Sequence, residues 1–235
     1  MNAKRPSFVA LMDILGYRDL CETTDPKELL VLMRRFQAKP VLPHVEAIQF
    51  SDTILLFTEG DNVSKFYNLV GEASAIIGEA LDAGIGIRAG VTRGPFVHDA
   101  GKRAFAGRAL VRAHELEQAQ DWIGGIVDPR LERDSEVAAA LEDLATDGFV
   151  FRYPAPLRGG PVGPLWCLGW PLNTRVGVND VETIGAEKAN WGVMRKLANS
   201  RAFMQSWTQA MSRRDANKSL PDRKFFPEDD RGRKR

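Results

Sequence analysis

The sequence predicts an α+β fold with a ferredoxin-like βαββαβ core, extended by C-terminal strands and a long C-terminal helix. Three observations predict it. Short β-rich apolar runs alternate with helical patterns along the chain. Two such runs, 44–50 and 53–58, are separated only by Ser51-Asp52, the mark of a tight hairpin. Helical patterns lie on both sides of that hairpin, as a split βαβ core requires. Pattern alone leaves other α+β folds open.

Residues 7–12 form an apolar run that stops at Asp13 and Gly16, which reads as a buried strand ending at a carboxylate. Asp25-Pro26 opens a helix carrying Leu29, Leu30, Leu32, Met33 and Phe36, closed by Pro40 and Pro43. After the hairpin, a long helix is expected over 62–81, ended by Gly84. A strand follows over 85–91, and a Gly-opened helix within 104–120. Residues 126–127 read as a short strand, 129–145 as a helix, and 149–153 and 165–168 as strands around a Gly/Pro-rich loop. A long helical stretch is expected over 181–211, and a charged, frayed tail after it.

The composition is 44% hydrophobic and 27% charged with a net charge of +1, ordinary for a globular domain. That balance implies no nucleic-acid or membrane surface. No apolar run is long enough to span a bilayer. Two cysteines, Cys21 and Cys167, give no disulfide framework and suit a reducing cytoplasm. His44 and His98 have no metal-ligand spacing with another His or Cys, so no zinc site is expected.

Asp13 and Asp52 both stand at ends of apolar strands. If those strands are neighbours, the carboxylates converge and can hold two Mg²⁺ or Mn²⁺ ions, hard cations that prefer oxygen ligands. The other reading is that each aspartate only caps a turn by local hydrogen bonding.

The motifs carry a resemblance. The segment from Phe8 to Leu20, with Asp13, Ile14, Gly16 and Tyr17, resembles the first strand of class III nucleotidyl cyclases. Ser51-Asp52 between apolar strands resembles their metal-binding hairpin. Gly86, Ile87, Gly90, Gly94 and Val97 match the strand that follows. The resemblance covers roughly residues 7–170. It implies a catalytic domain over 1–178, a C-terminal helical extension over 179–213 and a flexible charged tail over 214–235. It also implies that Asp13, Asp52 and the Ile14 carbonyl hold two metals. The substrate would be a nucleoside triphosphate, cyclised at sites shared across a head-to-tail homodimer.

The chain departs from the family where the family reads purines. The ribose-positioning Asn is Val111, and the transition-state Arg is Glu115. The adenine-reading acid is Ala104, and the purine-reading Lys is Ile48. A short cyclase domain with Ala113-His114-Glu115-Leu116-Glu117 in this helix resembles the pyrimidine cyclases of bacterial Pycsar antiphage systems. Those make cyclic UMP or cyclic CMP for a separate effector. Replacement cations are sought among Arg88, Arg93, Arg108, Arg112 and Arg158. Arg93 and Arg112 are the favoured catalytic pair, with Tyr17, Ser51 and Arg158 as nucleotide contacts. Two rival readings stay open: a purine cyclase with a rewired pocket, and a non-catalytic nucleotide-binding or dimerisation module. A diguanylate-type relative is disfavoured, because its Gly-Gly-Asp/Glu-Glu-Phe signature is absent.

Overall fold

The structure, a computed structural model, describes residues 6–36, 40–99, 104–160, 162–184 and 190–217. Strands β1 (Pro6–Ile14), β2 (Val45–Phe50), β3 (Thr53–Thr58) and β4 (Ile87–Pro95) form an antiparallel group in the order β2-β3-β1-β4. Helices α1 (Tyr17–Thr23) and α2 (Pro26–Phe36) connect β1 to β2, and α3 (Val63–Asp82) connects β3 to β4. This is the expected βαββαβ core.

A small hairpin, β5 (Val97–Asp99) and β6 (Ala104–Ala106), precedes α4 (Arg108–Gln118). Strand β7 (Gly124–Val127) then lies parallel to β4. After α5 (Ser135–Thr146), β8 (Val150–Tyr153) and β9 (Leu165–Leu168) complete a seven-stranded sheet, β2-β3-β1-β4-β7-β9-β8.

Alternation along β1 divides the interior. Phe8, Ala10, Met12 and Ile14 face a large core shared with α3, α5 and α6 (Trp191–Asn217). Val9 and Leu11 face the other way, joining Leu55, Phe57, Phe96 and the α4 residues Ala109 and Ala113. Helix α4 packs across β1 and β4.

Gly90 allows that close packing. A Cβ built there would stand 2.3 Å from the Ala113 carbonyl oxygen and 2.9 Å from the Glu117 nitrogen. Both obstacles are backbone, so relief requires moving the helix. Gly90→Ala is expected to cost about 3 kcal/mol, the upper end for overpacking. Urea denaturation checks this, and a loss under 1 kcal/mol would show that α4 can slide freely.

Some boundaries differ from expectation. Residues 104–106 are a strand, so the helix begins only at Arg108, behind Gly107. Pro129–Arg133 is a separate 3₁₀ turn, because Asp134 caps a new helix by accepting from the Glu136 and Val137 nitrogens. The long C-terminal helix starts at Trp191 and runs past residue 211 to Asn217, and among the described residues of 181–190 a short 3₁₀ turn spans Val181–Thr183. Residues 218–235 of the expected tail lie outside the described residues. No described helix is long and apolar enough to cross a membrane.

Candidate functional site

Asp13 lies one residue from the end of β1, and Asp52 occupies the two-residue turn between β2 and β3. Because β1 pairs with β3, Asp13 sits opposite Thr53. The Ile14 N–H donates to the Asp52 carbonyl at 3.0 Å, which fastens the turn to the end of β1. The two acids therefore emerge at one end of the sheet.

The turn is strained. Ser51 has φ 55°, in the left-handed region. Such a residue costs about 1–2 kcal/mol, while glycine loses about 0.5–1 kcal/mol more chain entropy on folding. Ser51→Gly is therefore expected to stabilise by about 0.5 kcal/mol with an unchanged turn, read by thermal denaturation. Destabilisation would mean that the serine side chain does more than occupy the turn.

A buried cation stands beside the acids. Arg88, on β4 opposite Asp13, has a side chain only 4% exposed. Its Nη2 donates to Asp13 Oδ2 at 3.2 Å and stands 2.6 Å from Oε1 of Glu117, which is fully buried. Its Nη1 donates to the Gln120 carbonyl at 3.2 Å. Burial pushes the Glu117 carboxyl up to about 7 against the opposing pull of Arg88, and the Asp13 charge adds to the rise. Burial also raises Asp13, again opposed by Arg88, with the Asp52 charge pushing it further up.

The structure brings Asp13, Ile14, Ser51 and Asp52 together. Tyr17 opens α1 just beyond Gly16, half-buried against the main core. Arg158 is exposed in the loop after β8, where its N–H donates to the Ala119 carbonyl at 2.8 Å.

The structure places Arg93 and Arg112 away from Asp13 within one chain. Since β1 and β4 run antiparallel, the end of β1 meets the start of β4. Arg93 sits opposite Phe8, while Asp13 sits opposite Arg88. At ~3.3 Å per residue, Arg93 is about 16 Å along the strand from the acids. It is paired to Asp134 at 2.8 Å and has Asp61 at 3.7 Å. Arg112 Nε donates to Asp128 Oδ2 at 3.0 Å, and Nη1 to Glu115 at 3.2 Å. Burial alone would raise Asp128, but Arg112 and Thr92 hold its carboxyl below the usual range. Both arginines are committed to local carboxylates at the far end of the sheet from Asp13 within their own chain.

Arg88 is one of the five candidate cations of the sequence, and Glu117 was not among the candidate site residues. Both are central here. The signals were a charge inside an otherwise buried strand, and the position of Glu117 on the Ala109-Ala113-Leu116 face of α4.

Among the described residues, no group of three or more His, Cys, Asp or Glu side chains could hold a metal by itself. Two carboxylates at rigid strand ends do fit a hard divalent cation that completes its shell with water and substrate phosphate.

The fold matches that of a nucleotide-cyclase catalytic core. Among solved structures, this chain is similar to the catalytic core of a rhodopsin-guanylyl cyclase with converted specificity, determined in complex with ATPαS. The TM-score is 0.52 at 17% identity, covering 70% of this chain and 96% of that one. A likeness at this identity establishes the fold. No family model and no curated protein matches the chain.

Proposed function

We propose that this chain is a metal-dependent nucleotide cyclase, converting UTP or CTP to the 3′,5′-cyclic monophosphate and pyrophosphate. The observation that carries the reading is the convergence of Asp13 and Asp52 at one sheet end, on a cyclase-core fold.

Asp13, Asp52 and the Ile14 carbonyl would hold Mn²⁺ or Mg²⁺. When bound, the ions lower the pKa of the ribose 3′-hydroxyl and offset phosphate charge. The hydroxyl oxygen attacks the α-phosphorus in line, the bond to the β-phosphate breaks, pyrophosphate leaves and the hydroxyl proton is released. Because nucleophile and electrophile belong to one substrate, the main task of the chain is positioning. Rigid strand ends suit that task, and Arg88 keeps Asp13 oriented.

A pyrimidine substrate is supported by the absence of purine-reading groups. Val111 is 61% exposed and apolar, and Glu115 is engaged with Arg112. A homodimer with shared sites is supported by apolar side chains left open beside α4 and on β2, with Val97 42% and Phe50 82% exposed. In such a dimer, Arg93, Arg108 and Arg112 would act only on the site completed by the partner. A role in antiphage signalling through a separate cyclic-nucleotide-sensing effector, in the cytoplasm, is supported by the resemblance of residues 113–117 to the Pycsar cyclases.

The commitment of Arg93 and Arg112 to local carboxylates favours one second reading, a non-catalytic nucleotide-binding module. Incubating the protein with ATP, GTP, CTP and UTP plus Mn²⁺, with products read by mass spectrometry, decides. A cyclic pyrimidine product is the expected result. A cyclic purine would correct the base, and no cyclic product from a folded dimer would leave the binding module.

A further inference from the structure

The segment Ala119–Asp121, between α4 and β7, ties together three distant parts of the chain. The Gln120 carbonyl accepts from Arg88, and the Ala119 carbonyl from the Arg158 N–H. The Asp121 carboxylate pairs with Arg195 of α6, and its carbonyl accepts from Asn199 at 2.8 Å. One turn along α6, the Ser200 hydroxyl accepts from the Ile123 N–H at 2.7 Å while donating to the Lys196 carbonyl. These bonds fasten the helix on either side of Lys196.

Lys196 is half-buried and lines a largely apolar cavity of about 170 Å³ together with Leu15, Gly16, Gly86 and the acidic Asp19. Leu15 and Gly16 directly follow the Asp13-Ile14 pair. Two nearby cations are already engaged: Arg88 by Asp13 and Glu117, and Arg195 by Asp121. Arg158 and Lys196 make no ion pair with any described residue. Burial, then the like charges of Arg88, Arg158 and Arg195, push the Lys196 ammonium below its usual range, opposed by Asp121. Cations gathered in this way repel one another until an anion of high charge arrives.

We propose that Lys196 of the C-terminal helix binds the β- and γ-phosphates of the nucleotide in the same protomer that supplies Asp13 and Asp52. The assignment rests on the cyclase reading for the identity of the anion, but the chemistry it requires is only that of a polyphosphate. It makes α6 part of the site instead of a structural appendage. Lysine suits the role, since its compact charge can follow a chain whose geometry changes as pyrophosphate departs.

The test titrates inorganic pyrophosphate and tripolyphosphate into the full chain by calorimetry, for wild type, Lys196→Gln and Lys196→Arg, with melting temperatures measured alongside. Lys196→Gln is expected to weaken pyrophosphate binding about 10-fold, in line with one charged hydrogen bond, and Lys196→Arg to hold it within about 3-fold of wild type. Melting temperatures should coincide. No binding by wild type, or Lys196→Gln binding as tightly as wild type, overturns the assignment. The two proposals fail separately. Cyclic product without any Lys196 effect on pyrophosphate sinks this one alone. Lys196-dependent pyrophosphate binding without cyclic product supports this site and sinks the cyclase reading.

Discussion

Asp52→Asn is expected to reduce cyclic-nucleotide formation at least about 10³-fold, the scale on which removal of one preorganised charge-stabilising group acts. Asp52 lies in a turn, half-buried, with no ion pair to any described residue. Asparagine is nearly isosteric and is itself a favoured turn residue, so the fold loses little. The melting temperature should move by no more than about 4 °C, equivalent to under about 1 kcal/mol for a domain of this size. Asp13→Asn should be as inactive. It differs in also removing the negative charge from one of the two partners of the Arg88 Nη2, leaving Glu117 as its one carboxyl partner. Mass spectrometry of products from wild type and both variants is the check. More than a tenth of the activity surviving in Asp52→Asn would remove this acid from the machinery.

The parts of the fold legible in the sequence were those set by local chemistry. The β2-β3 hairpin was legible because only two residues, Ser51 and Asp52, can close it. The strand holding Ile87 and Gly90 was visible as an apolar run. Convergence of Asp13 and Asp52 was legible only as a condition, since it depends on β1 pairing with β3. That Arg93 and Arg112 stand away from the acids of their own chain was not legible, for a topological reason. Arg93 lies near a strand end, but at the end of β4, whereas antiparallel pairing brings its beginning to Asp13. Arg88, at that beginning, is the cation that meets Asp13 within the chain. Helix α1 carries no fully buried residue, so no apolar face announced it. The position of α6 follows from bonds such as Ser200 to Ile123, between residues far apart in sequence, which no local pattern encodes.

Arg88→Met is expected to destabilise the protein by about 3–5 kcal/mol near pH 8, because it leaves buried carboxyls without their cation. The size should depend on pH in a definite direction. In the folded protein Glu117 keeps its proton up to about pH 7, whereas its ordinary value is 4.5. Between those values the folded state binds more protons than the unfolded one, so this group makes stability fall as pH rises. Arg88 opposes that rise, so its removal extends the window upward. The cost of Arg88→Met should then grow from pH 6 to pH 9 in metal-free urea denaturation. Adding Glu117→Gln should recover most of the loss at pH 8 and flatten the pH dependence, since a neutral pair replaces an orphaned charge. If the double variant is no more stable than Arg88→Met, Glu117 is not the group that Arg88 neutralises. The main role of the guanidinium would then be to hold Asp13 and the Gln120 carbonyl. If the recovery is seen, an ionised Glu117 is tolerated in the interior only through Arg88, and the same cation holds Asp13 at the end of β1. Packing of α4 against Gly90 and the orientation of the acid pair would then be two consequences of one buried charge cluster.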